Sequence, residues 1–150
     1  MALFYVLGYL PFWYAPIYPD YLNGNAWVSS LLLRLLCQET QVTGATIHSP
    51  HFAIDIKPGC DALEPAWILI SAVLSYPASL SQRLLGIGTG LLVILPLNLV
   101  RIGSLFLVGS YVPQFFPAIH LEIWPVVFIM TSVFIFTRWI RWTNAAHAQV

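Results

Sequence analysis

Charge is what this chain has least of. Lysine, arginine, aspartate and glutamate together make up 8% of its 150 residues, about a third of the share usual in soluble domains. A soluble fold of this size needs more polar surface than that. The six basic and six acidic residues cancel, so no electrostatic footprint for nucleic acid is present. The two cysteines are Cys37 and Cys60, with no Cys-x-x-Cys pair between them. That removes the usual signature of a redox pair or a zinc knuckle, and nothing in the pattern calls for a cofactor or a metal. Internal repeats, low-complexity stretches and linkers are also missing, which predicts one domain over residues 1–150.

What remains is apolar sequence, at 59% of the chain. A bilayer-spanning helix needs roughly 20 such residues, within a range of about 17–25. Four stretches qualify, at about 2–18, 62–80, 84–108 and 120–140. The fold class expected is an all-α integral membrane protein of four transmembrane helices, with a short extracytoplasmic helix and a β-hairpin between the first two. The first stretch is interrupted by Pro11 and Pro16. It has no basic start, and no small-residue cleavage site follows it, so it reads as a retained segment. "SQR" at 81–83 reads as a tight turn between the second and third spans. Arg83, Arg138 and Arg141 then share one side with both termini, which the positive-inside rule makes cytoplasmic. Arg34 and Lys57 count against that orientation. The segment 19–61 and the loop 109–119 are expected outside.

In the outer segment, "NAWVSSLLLRLLCQ" at 25–38 has helical spacing with one charge. It reads as a surface helix. Phe52, Ile54 and Ile56 alternate with Ala53, Asp55 and Lys57, the period of a strand. "HSPH" at 48–51 reads as a turn between two strands. Pro58 and Gly59 end the second strand and hand the chain to Cys60. "GIGTG" at 86–90 has no strand before it. Gly86 and Gly90 are therefore read as close helix contacts rather than a phosphate loop.

Arg101 stands inside the long apolar run "ILPLNLVRIGSL". A mid-bilayer arginine costs roughly 2.5–3.5 kcal/mol on insertion scales. It lies about 18 residues beyond Arg83, or ~27 Å along a helix rising ~1.5 Å per residue, near the outer edge of the hydrocarbon. Snorkelling would explain it there. Asn98 and Ser104 argue otherwise: residues three apart share a helix face, and a polar stripe 98–101–104 belongs against protein. Cys60, opening the second span, and His120, opening the fourth, reach the same layer. A cysteine, a histidine and an arginine suggest nucleophilic catalysis at a carbonyl. The thiolate attacks, the imidazole moves protons, and the guanidinium holds the oxyanion and favours the thiolate. Singly, each has a structural reading. Cys60 could be apolar filler or a disulfide partner, and His120 an interfacial residue. His48 and His51 read as surface residues, Asp61 and Glu64 as helix N-terminal caps, and Cys37 as structural.

The succession "GCDALEP", "PLNLVRIGSL" and "IHLEIW" resembles the exosortase/archaeosortase family, over roughly residues 25–142. That family shows a cysteine opening a span, an Asn-x-x-Arg element and a later histidine. These fall here on Cys60, on Asn98 with Arg101, and on His120. The short length and "GCDALEP" resemble the compact exosortase H-like branch. The resemblance implies a membrane-embedded cysteine protease/transpeptidase of the bacterial inner membrane, its site facing outward. Its partners would be secreted proteins ending in a short motif, an apolar helix and a basic cluster. It implies cleavage through a thioester at Cys60, then transfer to an acceptor or to water. Asp61 departs from the small residue that many members carry after the cysteine. A carboxylate there raises a thiol pKa unless Arg101 or His120 offsets it. Two other readings compete. One is a membrane thiol–disulfide oxidoreductase using Cys37 and Cys60, like the four-helix quinone-linked oxidases. The other is a non-enzymatic membrane scaffold or transporter subunit in which Arg101 is a structural donor.

Overall fold

A computed structural model describes residues 11–50 and 52–147. The chain is mostly helical and divides into two compact units, Met1–Asp61 and Ala62–Val150.

The first unit holds helix α1, Pro11–Leu35, and strands β1 (Gln41–Thr43), β2 (Thr46–His48) and β3 (Ala53–Asp55). The break expected between a span ending at 18 and a helix starting at 25 is absent. One helix crosses Pro19, Asn23 and Gly24, residues with poor helix propensity. Local bonds and packing override that preference. The Asn25 amide donates to the Tyr21 carbonyl one turn back at 3.0 Å, and Leu22 and Ala26 are buried. The part of the expected first span before Pro11 lies outside the described residues.

The expected hairpin is present and has gained a third strand, in the order β1-β2-β3, all antiparallel. β1 and β2 are joined by Gly44 and Ala45, with Gly44 at φ +62°. That is the glycine-first turn matching the twist of a tight hairpin. Ile47 pairs with both Val42 and Ile54 and is fully buried, together with Leu33 of α1 and Ile56. The Arg34 guanidinium donates twice to the Thr40 carbonyl, at 3.2 and 2.8 Å. The Ser30 and Thr40 hydroxyls meet at 2.8 Å. The helix end is thereby tied to the start of the sheet.

The second unit begins with α2, Leu63–Ser75. It is apolar but spans only ~20 Å at ~1.5 Å per residue, short of the ~30 Å hydrocarbon thickness. The turn follows at Tyr76–Ala78, not at "SQR". Ser79 is the N-cap of α3 (Leu80–Tyr111), its hydroxyl accepting from the Gln82 N–H while the Gln82 side chain accepts from the Ser79 N–H. This reciprocal capping box draws residues 81–83 into the first helical turn. Arg83 then donates back to the Tyr76 carbonyl at 3.1 Å. The expected loop 109–119 is also nearly gone. The chain breaks at Val112 and restarts at Pro113, passing through a 3₁₀ turn (Pro113–Phe115), one α turn (Phe116–Ala118) and a π turn (Ile119–Ile123) into α4, Trp124–His147. Proline is suited to such a first position, where its missing N–H has no partner to lose.

Leu80–Tyr111 and Pro113–Ala145 are each long and apolar enough to cross a membrane. They carry their apolar side chains outward: Leu84, Leu92 and Val100 on one, Val126, Ile129 and Phe134 on the other, all exposed. Inside lie Asn98, Arg101, Ser132 and Thr143. These polar groups lie among buried apolar side chains such as Ile94, Ile102, Leu105 and Phe106, and the apolar outer surface suits lipid as the outer solvent.

The two helices run antiparallel. Trp139 of α4 donates from its indole to the Gln82 carbonyl at 2.9 Å, and Trp124 donates to Ser104 at 3.1 Å. Arg83, Arg138 and Arg141 therefore share one end. Gly86 and Gly90 are close helix contacts, as expected, Gly86 against Trp139 of α4 and Gly90 against Leu69 of α2. A Cβ on Gly86 would sit 2.6–2.9 Å from the Trp139 ring, whereas one on Gly88 would meet nothing within 4 Å. Gly86→Ala should lower stability by about 1–3 kcal/mol through overpacking. Gly88→Ala should be neutral or stabilising by up to ~1 kcal/mol. Thermal unfolding in detergent checks the pair.

Candidate active site

Asn98 and Arg101 lie on the inward face of α3 and are buried, at 0% and 6% exposure. Snorkelling is thereby ruled out for Arg101. Its guanidinium carbon lies 5.6 Å from the centroid of the Phe128 ring, within cation–π range. The third member of the stripe, Ser104, donates to the Arg101 carbonyl at 2.8 Å and accepts from the Trp124 indole at 3.1 Å. Trp124 and Phe128 are one turn apart on α4, with ring centroids 5.9 Å apart. Together they form a wall that holds the arginine from the side and fixes its helix against α4.

His120 does not open a regular helix. It sits in the π turn, where the Trp124 N–H donates five residues back to Ile119. Pro125 follows with no N–H to give to Leu121, so the α-helical ladder has a gap at this point. Wide turns of this kind gather at functional sites. The imidazole is half-buried, packs edge-on against Phe116 at 5.4 Å, and is near enough to Arg101 to sense its charge. The arginine and the histidine are thus brought to the same end of the second unit.

Cys60 belongs to the first unit. Its N–H donates to the Lys57 carbonyl at 2.9 Å across Pro58 and Gly59, with Gly59 at φ +91°. Proline second and a left-handed glycine third make this a type II turn. The thiol is half-buried and forms no disulfide. Asp61 is not the N-cap of α2. That position is Ala62, in left-handed conformation and without a side-chain cap bond. Asp61 is instead buried, its carboxylate accepting from the Tyr18 hydroxyl and its carbonyl from the Tyr21 hydroxyl. Burial lifts the Tyr21 phenol above its usual 10.0; Asn25 opposes the rise and the Asp61 charge adds to it. Tyr21 therefore remains a donor.

Cys37 is exposed at the end of α1, in a left-handed position at φ 59°. With Arg34, Glu39 and His48 it lines an open cleft of about 790 Å³ in the first unit. His48 is exposed, as expected, and His51 lies outside the described residues. Sequence reasoning missed Trp124, Phe128, Tyr18 and Tyr21. Their only signal was spacing, four and three residues apart, and in a chain with 22 aromatic residues that singles out nothing.

The family model of the transmembrane exosortases matches residues 1–137. This chain belongs to the transmembrane exosortase family. Comparison with curated proteins and with solved structures gives no match. Exosortases are transmembrane proteins of a protein-sorting peptidase/transpeptidase class that generally works through cysteine. The apolar outer surface of the two long helices agrees with that membership.

Proposed function

We propose that this exosortase cleaves secreted proteins bearing a C-terminal sorting tail, and transfers them, through Cys60, Arg101 and His120. The whole chain acts as one membrane domain in the bacterial inner membrane, with the site toward the outside. The observation that carries the reading is Arg101. A guanidinium held inside a lipid-facing helix, beside Asn98 and within charge range of His120, needs a use that offsets its desolvation.

In the proposed reaction the Cys60 thiolate adds to the scissile carbonyl carbon. Arg101 stabilises the oxyanion that forms. As the carbon–nitrogen bond breaks, His120 gives its proton to the departing amine and leaves a thioester on Cys60. An acceptor amine or water then attacks the thioester carbonyl, passes its proton to His120 and releases the thiolate. Asn98 supports Arg101 from one turn away. Arginine cannot exchange the protons, because its pKa is too high.

The test uses a secreted protein of the source genome that ends in motif, apolar helix and basic cluster, co-expressed as a reporter. His120→Ala should lower kcat for reporter cleavage by roughly 10²–10⁴-fold, the usual worth of a general acid–base group. Unchanged turnover would remove the histidine from the mechanism.

A further inference from the structure

Two tyrosines of α1 close on the residue next to Cys60. Tyr18 and Tyr21 are three apart, so they share one face of the helix. Their rings stack at 6.5 Å between centroids. The Tyr18 hydroxyl binds the Asp61 carboxylate and the Tyr21 hydroxyl binds the Asp61 carbonyl, the latter at 2.6 Å. Asp61 is 3% exposed. A buried carboxylate and a buried carbonyl are each costly to leave without a donor, so both phenols are worth keeping in place. The segment they grip is already constrained, since Gly59 and Ala62 take left-handed conformations on either side of Cys60 and Asp61. The Cys60 N–H is also tied to Lys57.

We propose that Tyr18 and Tyr21 are positioning residues. They form a two-point latch on Asp61 that fixes the Cys60 backbone, and so the aim of its sulfur, from α1. One phenol holds the side chain of Asp61 and the other its main chain, which leaves the adjoining Cys60–Asp61 peptide little freedom to turn. Asp61, which departs from the small residue expected beside the nucleophile, is then the catch of this latch. The proposal rests on the reading of Cys60 as nucleophile, and its test separates the two.

The experiment uses the full chain in membranes, in a Cys37→Ser background so that Cys60 is the single thiol. Reporter cleavage is followed beside labelling by N-ethylmaleimide. Tyr18→Phe and Tyr21→Phe should each lower kcat about tenfold and together about a hundredfold, the scale of a nucleophile misplaced by ~1 Å. KM should hold. Labelling of Cys60 should rise severalfold at a temperature where every variant is still fully folded, because the thiol has been released from a fixed pose. Asp61→Asn keeps an oxygen for Tyr18 and should stay within about threefold of the parent, while Asp61→Ala, which keeps the carbonyl that Tyr21 holds, should match Tyr18→Phe. Parental kcat and labelling in the double variant would overturn the latch. So would equal activity of Asp61→Asn and Asp61→Ala. Faster labelling with unchanged kcat would overturn the positioning role; if Cys60→Ala is also active, the fault lies with the nucleophile rather than the tyrosines.

Discussion

Reporter cleavage is expected to vanish in Cys60→Ala and to continue at the wild-type rate in Cys37→Ala. The sulfur is the atom that forms the thioester, and a methyl group cannot replace it. Cys37 lies in an exposed left-handed position at the end of α1 and lines a separate cleft. Nothing in the proposed reaction passes through it. The competing redox reading makes the opposite forecast, because a thiol–disulfide enzyme needs both sulfurs. Equal loss in the two variants would favour it. Full cleavage in both would exclude both cysteine readings. Cleavage rates measured in membranes, with expression matched by immunoblot, decide among these outcomes.

Arg101→Lys should cost roughly 10²–10³-fold in kcat, the scale seen when one oxyanion donor is lost. Charge is retained in that variant, so the loss isolates geometry. The guanidinium is planar and stacks on an aromatic face, whereas an ammonium is a compact, strongly hydrated point. Over the Phe128 ring, with 5.6 Å between the guanidinium carbon and the ring centroid, lysine would forfeit both the stacking and the forked donors. KM should change little if the group acts on the transition state. A variant with wild-type kcat would mean that Arg101 supplies only charge or structure.

The polar stripe on α3 was legible because three-residue spacing is a strong statement in an apolar helix. Asn98, Arg101 and Ser104 had one face to share, with Asn98 and Arg101 buried and Ser104 half-buried. The strands around "HSPH" were legible from alternation alone. Other features were hidden by competing local signals. The sequence reading ended one span at 18 and began a surface helix at 25, yet contacts made by Leu22, Asn25 and Ala26 keep a single helix running across Pro19, Asn23 and Gly24. "SQR" looked like a turn because its serine and glutamine are polar. The signal that mattered was the Ser79–Gln82 capping pair, which moves the turn upstream. The 109–119 segment read as a loop because two prolines interrupt it. Pro113 instead starts a helix, and Pro117 is absorbed within its first turns. The aromatic wall of Trp124 and Phe128 depends on which face of α4 meets α3, a tertiary fact that composition does not carry.

Every step of the proposed chemistry passes through an acyl group on one sulfur, so the direct measurement is the intact mass of the chain after exposure to the reporter. His120 serves both formation and breakdown of the thioester in the proposed reaction, so the parent chain, quenched in acid during turnover, is where the acyl species is sought. The account predicts an added mass equal to the reporter's N-terminal product, located on Cys60 by fragmentation and released by hydroxylamine. An adduct on Cys37, or cleavage of the reporter with no acyl species on Cys60, would contradict it.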